Sequence, residues 1–126
     1  MVDIPAAPQA FDSKEFLERI GDDPQLAQDL IDLLLRDLPS LVEAVHNAVR
    51  SNDAKAVQHA AHTLKGAVAN FAAEAATQAA QGIEAMGRAG TLAGAPAALP
   101  PLRHELDRLV QDLSAYRSAH AGRTAP

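Results

Sequence analysis

The segment from Asp53 to Phe71 carries the apolar pattern that most restricts the fold of this chain. Its apolar side chains recur at spacings of 4, 3, 4 and 3 residues: Val57, Ala61, Leu64, Val68 and Phe71. This is the spacing of one face of an α-helix, whereas a half-buried strand would show alternation with a period of two. No stretch of any length shows that alternation. The segment therefore predicts an amphipathic helix of about five turns.

Four further helices are predicted around this central one. Asp12 or Ser13 can cap the first of them and Asp23 the second, and Gly21 closes the shortest. The turn Ser51-Asn52-Asp53 supplies the cap of the central helix. We place the helices at residues 12–21, 23–51, 73–87 and 100–119. The connections between most of them are short, which is typical of antiparallel neighbours in a bundle. The sequence thus predicts an all-α fold, an antiparallel four-helix bundle with a short additional N-terminal helix.

The long second helix has an apolar stripe and an internal proline. We assign to the stripe Leu26, Leu30, Leu33, Leu34, Leu41, Val45 and Val49. Pro39 removes one backbone hydrogen bond, so we expect a kink near Asp37. Two separate helices with a break at Pro39 are the alternative.

The fourth and fifth helices differ in how clearly they are patterned. The fourth is rich in alanine, and its narrow apolar face consists of Ala76, Ala79, Ile83 and Met86. Gly82 would let it approach a neighbouring helix closely. Residues 88–98 are read as a mobile loop, and Pro100-Pro101 as the start of the fifth helix. That helix has the cleanest stripe of the chain: Leu99, Leu102, Leu106, Leu109, Leu113 and Tyr116.

Composition restricts the class of protein further. The chain has 126 residues, which suits one domain, and 48% hydrophobic residues with only 3% aromatic ones favour a core of closely packed helices. There is no cysteine, and the net charge of −5 argues against nucleic acid as a partner. No apolar run is long enough for a membrane span, and no signal peptide is recognisable. We expect a cytoplasmic protein with a tail or linker at 1–11, one domain at 12–119 and a frayed tail at 120–126.

A histidine stands on the face of the central helix opposite the apolar stripe. His62 is two residues from Leu64, hence about 200° around the helix. Lys65 flanks it, and His59, Gly66 and Ala69 share its side. Glycine inside a helix costs roughly 1 kcal/mol relative to alanine, so Gly66 needs a reason. An open approach to His62 with a cation beside it would suit a histidine that carries a phosphoryl group.

The block His62-Thr63-Leu64-Lys65-Gly66 resembles the signature of the histidine-containing phosphotransfer domain of bacterial phosphorelays. Ala61 before the block, and Ala67, Ala69, Asn70 and Phe71 after it, extend the resemblance, and the helical layout matches over roughly residues 12–119. The resemblance implies that His62 accepts the phosphoryl group, that Lys65 compensates its charge, and that Gly66 leaves space for a receiver domain. The chain departs from the family at Ala72, where many members have glycine, which puts the geometry of the helix end in question.

The resemblance also implies partners and cofactors. His62 would take a phosphoryl group from the aspartyl phosphate of one receiver domain and pass it to the aspartate of another. The donor would belong to a hybrid sensor kinase and the acceptor to a response regulator, with the chain either free-standing or the C-terminal domain of that kinase. We expect no cofactor on this chain and Mg²⁺ on the receiver. The chain lacks a nucleotide-binding signature, so we expect a monomeric phosphocarrier without ATP-dependent kinase activity.

Glu84 and several alternatives complete the sequence-based interpretation. Glu84 lies on the helix expected beside the central one, where it could orient the His62 ring or remain a solvated surface residue. His59 and His62, with Glu84 as a third ligand, could form a metal site, but Lys65 would repel the cation, so we expect none. Hydrolytic chemistry lacks partners for its nucleophiles. The remaining alternative is a structural interaction module that uses the seam of apolar residues from Leu99 to Tyr116.

Overall fold

The computed structural model describes residues 10–120, which form five helices and, within that range, no strand. The helices are α1 (Ser13–Arg19), α2 (Pro24–Arg50), α3 (Ala54–Ala69), α4 (Glu74–Ala89) and α5 (Ala95–His120). Each of α2 to α5 packs against the next in the chain, and α5 returns to α2 to close the bundle. The predicted fold class, a four-helix bundle with a short N-terminal helix, is confirmed.

Three helices begin where the sequence places their caps. The side chains of Asp12, Asp23 and Asp53 each accept a hydrogen bond from the backbone N–H three residues further on, at 3.0 to 3.1 Å. These bonds satisfy amide groups that have no partner inside the helix. Pro24 follows Asp23 as the first residue of α2, a position where its missing N–H costs nothing. The starts of these three helices are therefore specified locally.

The predicted stripe of α2 is partly wrong. Leu34, Val45 and Val49 are buried as expected, but Leu26 and Leu33 are 39% and 44% exposed. The inward face instead consists of Ala27, Gln28, Ile31, Leu34, Leu38, Val45, Ala48 and Val49. Leucines occupy several faces of this helix, so the spacing alone fits more than one set of inward positions. The helix continues through Pro39, and the alternative of two separate helices is wrong.

The glycine that allows close packing of α4 is Gly87 rather than Gly82. A Cβ on Gly87 would lie 2.5 Å from the backbone N of Gln58 and 2.8 Å from the carbonyl O of Ala54, both on α3. A Cβ on Gly82 would meet nothing within 4 Å. The backbones of α3 and α4 therefore touch near the start of α3. We had placed Gly87 at the end of α4, but the helix continues to Ala89 and is closed by Gly90 at φ +74°.

The connection after α4 is shorter than predicted. The helix α5 begins at Ala95, five residues before Pro100, and both Pro100 and Pro101 lie inside it. Ala95 is fully buried, so packing fixes the first turn that composition had assigned to a loop. The predicted stripe of α5 is confirmed, since Leu102, Leu106, Leu109 and Leu113 are buried and its two ends are half-buried.

The helix α1 covers one end of the bundle through aromatic contacts. All three Phe and the single Tyr of the chain meet here. Phe16 stacks on Phe71 with ring centroids 4.8 Å apart, and Phe11 contacts Phe16 and Tyr116 edge to face. Ala10 and Phe11, the last two residues of the expected N-terminal tail, are buried. The rest of the expected N-terminal tail, residues 1–9, and residues 121–126 lie outside the described range.

The turn between α3 and α4 requires a left-handed backbone at Ala72. Its φ is +54°, a conformation that glycine adopts far more readily than alanine. The carbonyl of Ala72 accepts a hydrogen bond from the N–H of Asp12, which ties this turn to the segment before α1. The departure from the family noted at Ala72 therefore falls where glycine would be favoured.

Candidate functional site

The contact between α3 and α4 brings His62 and Glu84 together. The His62 side chain is 65% exposed, whereas Glu84 is almost completely buried. Nδ1 of His62 lies 2.7 Å from Oε2 of Glu84. The solvated alternative for Glu84 is therefore wrong, and its carboxylate contacts the ring as the other alternative anticipated.

Three side chains surround the buried carboxylate of Glu84. Nζ of Lys65 donates to Oε1 at 2.6 Å, and Nη2 of Arg88 donates to Oε2 at 3.2 Å, the oxygen that His62 also contacts. The hydrogen bond from Lys65 is the main cause that lowers the pKa of the Glu84 carboxyl from its ordinary value of 4.5; the hydrogen bond with His62 adds to it, and burial acts in the opposite direction. The carboxylate is thus kept ionised at neutral pH.

An ionised carboxylate only accepts hydrogen bonds, so its partner nitrogen on His62 must carry the hydrogen. Nδ1 therefore carries the hydrogen, and in the neutral ring Nε2 retains its lone pair. Among residues 10–120, Nε2 forms no hydrogen bond with another side chain. The arrangement holds the ring through its inner nitrogen and presents the outer one as a nucleophile.

The other residues predicted around His62 are placed as follows. His59 and Gly66 are exposed on the same side of α3, whereas Ala69 is half-buried and its carbonyl accepts a bond from Arg19. A Cβ on Gly66 would meet no atom within 4 Å outside its own stretch of helix. No packing within the described bundle therefore requires glycine at this position.

Arg88 is the residue of this cluster that sequence reasoning missed. It lies one turn after Glu84 on α4, a spacing at which an acidic and a basic side chain meet on a helix surface. That spacing was available in the sequence, but it became informative only once Glu84 was known to be buried against α3.

The alternatives from other classes find little support in the described structure. Within residues 10–120 there is no group of three or more His, Asp or Glu side chains that could hold a metal ion. The hydroxyl of Thr63 donates to the carbonyl of His59 and is occupied by the helix backbone. The four central leucines of the α5 seam, Leu102, Leu106, Leu109 and Leu113, are buried inside the bundle, so they offer no apolar face for association.

The site is an exposed ridge rather than a pocket. A cavity of about 670 Å³ lies between α2 and α5 and includes none of the predicted site residues. A ridge can be reached by another protein surface, whereas small-molecule enzymes usually enclose their substrates. None of the helices described here is long and apolar enough to cross a membrane.

Comparison with known proteins identifies the class to which this ridge belongs. The sequence model of the Hpt domain matches residues 29–115, well over half of the chain. The chain belongs to the Hpt domain family and has a phosphotransfer role in two-component signalling. The predicted resemblance is thereby confirmed.

One solved structure resembles the whole bundle. It is the crystal structure of histidine-containing phosphotransfer protein B (HptB) from Pseudomonas aeruginosa PAO1, with a TM-score of 0.82 and 22% sequence identity. The match covers 90% of this chain and 98% of that one, and at this identity it establishes the fold. Comparison with curated proteins found no significant match.

Proposed function

We propose that this chain is a phosphorelay intermediate that carries a phosphoryl group on Nε2 of His62. The donor is the aspartyl phosphate of one receiver domain, and the acceptor is the aspartate of a second. The observation that carries this proposal is the 2.7 Å contact between Nδ1 of the exposed His62 and the buried Glu84. It supports a ring that is fixed in direction, protonated on its inner nitrogen, and nucleophilic at its outer one.

The transfer step needs no proton to leave the histidine. The lone pair of Nε2 attacks phosphorus in line with the bond to the aspartate oxygen, that bond breaks, and the aspartate departs as a carboxylate. The phosphorylated ring, still protonated at Nδ1, carries a positive charge that faces the Glu84 carboxylate. The same steps in the reverse direction transfer the phosphoryl group from Nε2 to the aspartate of a second receiver. Mg²⁺, which would neutralise charge on the phosphoryl oxygens, is expected on the receiver.

Lys65 supplies positive charge beside the site. Its Nζ is 2.6 Å from Oε1 of Glu84, the carboxylate that His62 also contacts, and its side chain is 25% exposed. A phosphoryl group on Nε2 adds negative charge that an adjacent ammonium can compensate. We propose this role for Lys65. We expect phosphoryl transfer to take place in the cytoplasm and the Hpt domain to act as a monomer.

The receiver docks, in this proposal, along the exposed ridge of α3 and onto the apolar groove beside it. His59 and Gly66 lie on the ridge, and Ala69 lies at its far end. A groove of about 360 Å³ between α1, α2 and α3 begins at Ala67 and is bordered by the exposed Leu33 of α2. Exposed leucines beside a groove are typical of a protein contact surface.

The test mixes the purified chain with a receiver domain, Mg²⁺ and radiolabelled acetyl phosphate. His62→Gln should lose the label completely while its helical circular dichroism and melting stay unchanged. His104→Gln, which replaces an exposed histidine on α5, is the matched control and should retain the label. The label should be acid-labile and alkali-stable, as expected for a phosphohistidine. Equal labelling of His62→Gln, or no label from several receivers that are each shown to be phosphorylated, would contradict the proposal.

A further inference from the structure

Arg88 and Lys65 share one buried carboxylate from opposite sides. Lys65, from α3, donates to Oε1 of Glu84 at 2.6 Å, and Arg88, from α4, donates to Oε2 at 3.2 Å. The Arg88 side chain is 62% exposed and the Glu84 side chain only 3%. Two permanent cations therefore face a single negative charge, and these three side chains together carry one net positive charge.

This sharing matters because Lys65 has two competing partners. In the structure its ammonium is held by Glu84, yet the proposed function requires it to face a phosphoryl group on His62. A buried carboxylate that loses its nearest cation is left poorly compensated, which is costly. The positively charged ring of phosphorylated His62 faces Oε2, so a further cation is needed only to replace the contact that Lys65 gives up. Among residues 10–120, Arg88 is the additional permanent cation in contact with that carboxylate.

We propose that Arg88 is a positioning residue that holds Glu84 when Lys65 turns toward the phosphoryl group. The inference rests on the proposed function and adds an exchange of cations to it. Arg88 needs only to shorten a contact it already makes at 3.2 Å, whereas Lys65 moves from one acceptor to the other. Glu84 thereby stays ionised and keeps Nδ1 of His62 protonated throughout the transfer.

The first test measures the rate of transfer from a phosphorylated receiver at saturating receiver concentration. Arg88→Gln should slow transfer about three- to tenfold, as expected for a partly exposed ion pair. Arg88→Lys should restore most of the rate, because it restores the charge. Arg103→Gln, an exposed arginine on α5 lining the separate α2–α5 groove, is the matched control and should transfer normally. Thermal melting of each variant checks the fold.

A double variant separates action through Glu84 from direct contact with the phosphoryl group. In a Glu84→Gln background there is no buried charge to hold, so adding Arg88→Gln should change the rate by less than about twofold. An equal loss in both backgrounds would overturn the inference, as would a normal rate for Arg88→Gln beside a wild type that transfers. If the wild type itself accepts no phosphoryl group, the proposed function fails first.

A second test uses the unphosphorylated chain and needs no activity. Lys65→Gln removes the nearest cation from Glu84, as phosphorylation is proposed to do. Arg88→Gln should then lower the melting temperature at least about twice as much in the Lys65→Gln background as in the wild type, since coupled partners are not additive. Equal shifts in both backgrounds would show that Arg88 does not replace Lys65 at Glu84.

Discussion

Gly66 and Gly87 lie on the neighbouring helices α3 and α4, and the structure gives them opposite surroundings. A Cβ on Gly87 would lie 2.5 Å from the backbone of α3, whereas a Cβ on Gly66 would meet nothing within 4 Å outside its own stretch of helix. Both residues carry the same helix penalty. Packing within the chain explains the first, and only something outside the described chain can explain the second.

The contrast shows that glycine has two different roles on this pair of helices. At Gly87 it lets two backbones touch, which fixes how α4 lies along α3. At Gly66 the absence of a side chain leaves the surface beside His62 accessible. The first use is a matter of stability and the second of access, so substitutions at the two positions should affect different measurements.

Gly87→Ala should produce the largest loss of stability. Its methyl group would press on the backbone of Gln58, which cannot move aside as a flexible side chain can, so we expect a loss of about 2 kcal/mol or more in the free energy of unfolding. Urea denaturation measures it. Gly82→Ala on the same helix is the control and should be stabilising by about 1 kcal/mol. A Gly87→Ala variant as stable as the wild type would remove the proposed backbone contact.

Gly66→Leu should separate function from stability. The side chain would stand beside the attack path to His62, so we expect at least about a tenfold lower rate of transfer, equivalent to a clash of ~1.4 kcal/mol. The free energy of unfolding should rise by about 1 kcal/mol, because leucine is the better helix former. Gly66→Ala should show the same gain in stability with a smaller loss of rate. Normal transfer by the leucine variant would contradict the role of Gly66 in access.

Ala72→Gly tests a third position, where the backbone conformation itself favours glycine over alanine. Its φ of +54° is strained for alanine, so glycine should raise the free energy of unfolding by about 1 kcal/mol. Ala85→Gly, on the exposed side of α4, is the control and should lower the free energy of unfolding by about 1 kcal/mol. If both substitutions destabilise equally, the left-handed conformation of Ala72 is wrong.

Glu84→Gln should have the smallest effect on stability, seen as a change in how the free energy of unfolding depends on pH. The pKa of Glu84 is lower in the folded chain than its ordinary value of 4.5, so the unfolded chain binds this proton more readily. The stabilisation is present above 4.5 and is lost as the pH falls through the folded pKa. As the pH falls below 4.5 the variant should therefore lose stability less steeply than the wild type. Parallel curves in urea denaturation would contradict an ionised, paired Glu84.

The parts of the fold that could be predicted are those specified by neighbouring residues. Asp12, Asp23 and Asp53 cap helices through bonds that span three residues, and the stripe of α5 has a single possible phase. The stripe of α2 was partly wrong because Leu26 and Leu33 fit the helical spacing as well as the buried Ile31 does. Only the packing of the other helices selects among these phases.

The candidate site divides in the same way. His62, Lys65 and Gly66 are neighbours in sequence, and their arrangement on one helix followed from its geometry. The burial of Glu84 and its contacts with His62 and Lys65 depend on how α4 lies against α3, which in turn depends on Gly87. Those contacts join two helices, and the spacing of residues along one helix does not contain them.

The position of the phosphoryl group on the His62 ring tests the central claim most directly. The chain, labelled with ¹⁵N, would be phosphorylated by a receiver and its histidine rings observed by long-range ¹H–¹⁵N NMR. We predict phosphorus on Nε2 of His62 with the hydrogen retained on Nδ1, facing Glu84. Phosphorus on Nδ1, or on His59, would contradict the account, because the bond from Nδ1 to Glu84 would then have to break for transfer to occur.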